Sequence, residues 1–214
     1  MAQDDAKPSR PRAAIRQRLI EAALRLYEQH GFDQVRVQEI ADAAGVTRRT
    51  FHRHFPSKGA VVFAHEEELA QKLMAALEQR PATESVLTAT RAALGELLLG
   101  RSTLALTAVE LDTARRVRHL LVTNPELRRA NFTGALARRR AVADYYAART
   151  GLPATDLRPQ LTALTLTEGI ALALDRWATG TNPGLQALYD DIDAVITALQ
   201  NGVDLDAAPP DSHR

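Results

Sequence analysis

Apolar residues recur along this chain every three or four positions, the spacing that puts them on one face of an α-helix. Ile15, Leu19, Ala22, Ala23 and Leu26 predict a first helix from about Arg12 to Gly31, a residue suited to the left-handed backbone of a helix C-terminus. Val37 to Ala44 predicts a short helix closed by Gly45. Thr47 is placed to cap a second short helix, Arg48 to Phe55, which Pro56 stops. Ser57 caps a longer helix to about Arg80, ended by Pro81. The same punctuation predicts helices over 84–99, 102–123, 125–150, 157–179 and 184–201, about nine in all. Asn124-Pro125 and Asn182-Pro183 each supply a cap and a first-turn proline. Residues 1–11 read as a flexible arm and 203–214 as a disordered tail.

Composition sharpens the fold class to all-α. The 214 residues include 38 Ala and 29 Leu but only 18 Val plus Ile, which favours helices and leaves few strand formers. There is no cysteine, so disulfides, thiolate metal sites and cysteine nucleophiles are excluded. No apolar run approaches the ~18 residues of a membrane span, and the first residues carry no signal-peptide pattern. A cytoplasmic location is the expectation, with no membrane partner and no cofactor or metal.

Net charge is only +1, but it is unevenly spread. Lys7 to Lys58 holds 11 basic against 5 acidic residues, and Gly59 to Arg214 holds 16 against 19. A basic N-terminal third joined to a mildly acidic remainder points to a nucleic-acid-binding module carrying something else. The two short helices joined by Ala44-Gly45-Val46 specify that module. Helices that cross closely need a small residue at the crossing and a positive φ in the turn, and Ala41 and Gly45 supply them. Ile40, Val46, Phe51 and Phe55 then face a shared core with Ile15, Leu19 and Phe32. Arg48, Arg49, Thr50, His52 and Arg53 are left on the outer face, rich in donors suited to guanine edges and phosphates.

The stretch Gly31-Phe32 … Val37-Gln38-Glu39-Ile40-Ala41-Asp42-Ala43-Ala44-Gly45-Val46-Thr47-Arg48-Arg49-Thr50-Phe51-His52-Arg53-His54-Phe55-Pro56-Ser57-Lys58 resembles the DNA-binding domain of the TetR family of transcriptional regulators. The resemblance covers roughly residues 12–60. It implies a three-helix DNA-binding domain, followed over 61–202 by a helical domain for ligand binding and dimerisation. It places Gln38 and Arg48 where members read bases, with Arg49, Thr50 and His54 beside them, and Lys58 where they contact phosphate. His52 stands where tyrosine is usual. Arg36 stands where threonine often caps the second helix, which arginine cannot do. The candidate DNA contacts are therefore Arg36, Gln38, Thr47, Arg48, Arg49, Thr50, His52, Arg53, His54 and Lys58.

In the second domain, residues 157–179 are apolar nearly all round and 184–201 carry one apolar stripe. Such a pair from each of two chains makes a four-helix bundle, and the resemblance implies a homodimer through these last two helices. Polar groups on apolar stripes, together with large aromatics, mark candidate ligand contacts: Glu110, Thr113, Phe132, Tyr145, Glu168 and Trp177. The segment Thr113 to Arg128 also resembles an actinobacterial TetR subgroup that binds acyl-CoA-like ligands.

These readings converge on a homodimeric repressor that binds an inverted-repeat DNA operator and is released by a small hydrophobic or acyl-CoA-like effector. The alternative is a helix-turn-helix module for protein interaction or DNA architecture, without ligand control. Catalytic patterns are missing. His52 and His54 lie two apart and face different ways on a helix. His65-Glu66-Glu67-Glu68 lacks zinc-helix spacing, and there is neither a phosphate-cradling glycine loop nor a nucleophile elbow.

Overall fold

The computed structural model describes residues 10–100, 102–182 and 184–203. They form α1 (Arg10–His30), α2 (Val37–Ala43), α3 (Arg48–His54), α4 (Lys58–Glu78), α5 (Val86–Leu98), α6 (Ala108–Thr123), α7 (Pro125–Ala130), α8 (Phe132–Thr150), α9 (Leu157–Thr179) and α10 (Leu185–Asn201). No strand occurs among the described residues. The expected arm lies outside them except for the start of α1, and the expected tail lies outside them beyond Val203.

Helix starts follow side-chain caps. Ser57, Ser85, Thr107 and Asp156 each accept a backbone N–H from the turn they open. The cap at Thr107 corrects one boundary. The helix expected from residue 102 begins at Ala108, because Thr107 and Glu110 close a capping box there and Leu106 N–H bonds back to Leu97 O. The helix expected over 125–150 is jointed at Asn131 into α7 and α8. Counted as one, the pair restores nine.

Two large cores organise the helices, with a smaller one between the end of α4 and α5 (Ala76, Leu77, Ala89, Ala93 and Leu97). The first gathers Leu19, Ile20, Leu24 and Tyr27 of α1, Ile40 and Ala41 of α2, Phe51 of α3, and Val61 and Val62 of α4. It also takes Val117, Leu120 and Leu121 of α6 and Leu127 of α7. The helix-turn-helix is thus packed partly on residues more than fifty positions downstream. The second core joins α5, α8, α9, α10 and Ala114 of α6, with Leu69 and Leu73 of α4 packed against it. Both α4 and α6 therefore run from one core into the other.

The α10 stripe turns inward. Leu188, Ile192 and Ile196 are buried in the second core. A Cβ on Gly95 of α5 would crowd the Tyr189 ring, and one on Gly169 of α9 would overlap Val195 Cγ1. The two glycines allow α10 to lie close against its own chain. Apart from Val109 of α6 and Val203, the large apolar side chains left exposed among the described residues sit on two other helices: Phe132 and Leu136 on α8, and Leu157, Leu161, Leu164 and Leu172 on α9.

Candidate nucleic-acid interface and effector domain

The interface is built on α3, seven residues long, of which Phe51 alone is buried. Phe51 anchors the helix among Leu19, Ile40 and Phe55. Thr47 caps it by accepting the Thr50 N–H at 3.1 Å. The turn before it runs through Gly45 at φ +66°, with Val46 N–H on Ala41 O at 2.9 Å. Ala41 is fully buried, so the crossing and the turn match the sequence expectation. Arg48, Arg49, His52 and Arg53 consequently stand exposed, and Arg49, Thr50 and Arg53 line a surface hollow of about 320 Å³.

Gln38 on α2 donates to Asp42 Oδ1 at 2.8 Å and stays exposed beside α3. Arg36 precedes α2 without a side-chain cap, as expected of arginine. Glu39 compensates by accepting the Arg36 backbone N–H at 2.7 Å. His54 behaves differently from the outer residues. It is half-buried, and its Nε2 and the Arg16 Nη1 are both buried without a partner. Burial, together with Arg53, Arg12 and Arg16, holds the His54 pKa below its ordinary value.

Lys58 departs from the expected phosphate contact. Its ammonium donates to Phe32 O, Asp33 O and Val35 O at 2.8, 3.1 and 3.0 Å, and sits 4.5 Å from the centre of the Phe32 ring. All three N–H bonds are spent inside the chain. Tyr27 OH donates to Lys58 O at 2.8 Å. Lys58 therefore ties the loop before α2 to the start of α4. No local pattern signals this, because the three carbonyls lie 23–26 residues upstream.

Residues 19–64 match the family model of bacterial regulatory proteins of the tetR family, and residues 84–204 match that of the MftR C-terminal domain. The chain belongs to the TetR family of bacterial transcriptional regulators. It is 28% identical over 205 residues to a Mycobacterium tuberculosis protein named MftR, for mycofactocin biosynthesis transcriptional regulation, covering 91% of this chain and 98% of that one. It is 41% identical over 86 residues to the HTH-type transcriptional regulator TcmR of Streptomyces glaucescens, covering 40% and 38% of the two chains. Among solved structures, Thermus thermophilus FadR, a TetR-family repressor in complex with lauroyl-CoA, superimposes with a TM-score of 0.52 at 25% identity. That match covers 92% of this chain and 100% of FadR. Both named relatives are transcriptional regulators rather than enzymes, and no described helix is long and apolar enough to cross a membrane.

Helices α6, α8 and α9 disperse the candidate ligand contacts. Glu110 pairs with Lys72 at 2.6 Å and closes the α6 capping box through Thr107 N–H at 2.9 Å. Those bonds hold its carboxyl below the usual range against the opposing effect of burial. Thr113 is buried and donates to Val109 O of its own helix at 2.8 Å. Tyr145 donates to Leu77 O at 2.6 Å, tying α8 to the end of α4. Trp177 is buried in the second core. Phe132 is 70% exposed and Glu168 is exposed on the outer face of α9. These two are corrected to surface positions, because α8 and α9 bury their opposite faces against each other. Periodicity marks a stripe but not which of a helix's two sides is covered.

Sequence reasoning missed His65, Glu66 and Arg116. His65 is buried on α4 and bonds Glu110 O through Nε2 at 3.1 Å, with Glu68 3.9 Å from Nδ1. Burial lowers its pKa. Arg116 of α6 grips Glu28 by two bonds of 2.6 and 2.9 Å and Glu21 by one of 2.8 Å, clamping α6 to α1. The charge pattern along the chain does not reveal these partners, which lie on other helices.

Proposed function

We infer that this TetR-family regulator works as a homodimer that presents two α3 helices to an inverted-repeat operator and is released by an apolar, acyl-CoA-like effector. The observation carrying the reading is the outer face of α3: exposed arginines with no carboxylate in ion-pair reach among the described residues, beside a fully packed helix-turn-helix core. Unspent guanidinium groups on a rigid helix suit guanine edges and phosphates. In this reading Gln38, Arg48 and Arg49 read bases. Arg36, Thr50, His52 and Arg53 position the backbone, and Lys58 acts by holding the loop before α2.

The dimer contact centres on α9, with α8 beside it rather than α10. The outward row Leu157, Leu161, Leu164 and Leu172 adjoins Phe132 and Leu136, and each of these side chains is 38–72% exposed. An apolar face of this kind favours burial against a second copy. The effector assignment is supported by the apolar second core and by the similarity to FadR, which holds lauroyl-CoA.

Selection of bound duplexes from a random pool at ~150 mM salt, where non-specific binding is weakened, tests the reading. An enriched inverted repeat, bound by a dimer in sedimentation and released by lauroyl-CoA, is the expected result. Leu161→Asp should leave a folded monomer with much weaker operator affinity. A folded dimer that enriches no sequence would instead favour a helix-turn-helix interaction module.

A further inference from the structure

The exposed apolar row of α9 is interrupted by a charge. Leu157, Leu161 and Leu164 are followed one turn on by Glu168, and Leu172 comes one turn after that. Glu168 therefore stands inside a leucine face rather than at its edge. No cation lies in ion-pair reach of it among the described residues, because the α9 arginines turn elsewhere: Arg158 to Asp156 at 2.8 Å and Arg176 to Asp191 at 3.5 Å. The neighbouring helix repeats the arrangement with the opposite sign. On α8, Phe132 and Leu136 are followed at the same four-residue spacing by Arg140, which is exposed. It too has no carboxylate in ion-pair reach among the described residues, not even Asp144 one turn further on.

The two charges stand level with each other. Only residues 151–156 separate α8 from α9, and a polar network joins their far ends. Glu66 of α4 accepts from Asn131 at the head of α8, from Arg138 of α8 at 2.9 Å and from Arg118 of α6 at 3.4 Å. Arg118 continues to Asp175 near the end of α9 at 2.5 Å, and Arg128 of α7 meets the other Asp175 oxygen at 2.9 Å. The two helices are therefore antiparallel. Arg140 lies near the middle of Phe132–Thr150 and Glu168 at the middle of Leu157–Thr179. One apolar surface thus carries an arginine and a glutamate on adjacent rows, and no ion pair joins them within the chain. Helix α10 offers Glu168 no cation, since it holds no Lys, Arg or His.

Covering the leucines with a second copy takes Glu168 out of water. A carboxylate in that position costs free energy unless a cation meets it. A two-fold axis brings the same two rows back with their own arginines, and among these Arg140 is the one not already engaged. We propose that Glu168 of each copy pairs with the partner's Arg140, and that the two reciprocal pairs fix the register of the dimer and restrict it to copies of this chain. This rests on the homodimer reading above and assigns the source of its specificity. Leucine contacts are non-directional, so alone they accept a slipped register or another protein with a similar leucine face. An association without the matching charges leaves a carboxylate and a guanidinium unpaired and is penalised. Register also sets the separation of the two α3 helices, on which the fit to two half-sites depends.

Sedimentation of the full chain over a concentration series measures the association. Circular dichroism checks that each variant folds, as expected where both side chains are exposed. Glu168→Arg and Arg140→Glu should each weaken the homodimer by about tenfold or more, since each sets like charges opposite one another twice. Glu168→Gln should weaken it less, and the chain carrying both charge reversals should recover the original association. Native mass spectrometry of the two single reversals mixed should show heterodimer well above its statistical share, because each finds its complement only in the other. An ion pair confined within one chain gives the recovery without the heterodimer preference, and that result overturns the proposal. So does a tighter dimer from Glu168→Gln, which sets Glu168 against a second carboxylate at the two-fold axis. A dimer indifferent to both single reversals removes the pair and keeps the homodimer reading. An unaltered chain that stays monomeric at every concentration removes both.

Discussion

The arginines of α3 and those of α6 and α8 are the same side chain in opposite surroundings. Arg48, Arg49 and Arg53 stand in water with no carboxylate in reach among the described residues. Arg116, Arg118 and Arg138 are 13–21% exposed, and each is gripped by carboxylates from helices far away in the chain. The first set keeps its charge available to a polyanion. The second spends it on joining helices, because a guanidinium taken out of water must be paired. Residue type and local charge do not separate these roles, whereas burial and the position of the nearest carboxylate do.

Removing one arginine from each set should break the comparison most sharply at Arg118. Arg118→Ala leaves Glu66 to Arg138 and Asn131 and leaves Asp175 to Arg128 alone, and should cost about 1–3 kcal/mol of stability, read in denaturant melts. Arg48→Ala should do the reverse. Its stability change stays within about 0.5 kcal/mol, while operator affinity falls by about 1–3 kcal/mol in titrations at fixed salt. Arg53→Ala should lower the salt slope of binding by about one, which separates a phosphate contact from a base contact.

The histidines give a smaller and finer test. Both His54 and His65 have folded-state pKa values below 6.5. The unfolded chain therefore takes up protons first as pH falls, so stability should decline from about pH 6.5 downward and recover on raising the pH. His65→Gln should flatten that slope. Added salt should relieve the His54 share, which depends partly on Arg12, Arg16 and Arg53, more than the share of buried His65. Smallest of all is the pair Arg129–Glu126, which is 73% and 71% exposed. Arg129→Ala should change stability by less than about 0.5 kcal/mol, showing that pairing without burial contributes little.

The helix-turn-helix was legible because its requirements are local. Ala41 at the crossing, Gly45 in the turn, Thr47 at the cap and Phe51 as the anchor all lie within eleven residues, and the structure uses each as its chemistry suggests. Candidate contacts in the effector domain were less legible. Glu168 and Thr113 both interrupt apolar stripes, yet one faces solvent and the other bonds its own helix inside the core. Which side of a helix is covered depends on neighbours that periodicity does not name.

By itself the sequence determined the all-helical class, nearly every helix boundary, and which face of α3 is left polar. Caps, glycines and prolines act within a turn or two of where they stand, so their effect can be read in order along the chain. Only the tertiary structure decided that α6 and α7 complete the core of the DNA-binding module and that α10 packs inward while α8 and α9 face out. It also decided that Lys58 serves a loop and that Glu66 gathers three helices. Each of these depends on partners at least 23 residues apart in the chain, and as many as 106 where Arg91 of α5 meets Thr197 of α10, and such contacts are set by how helices pack rather than by the pattern within any one of them.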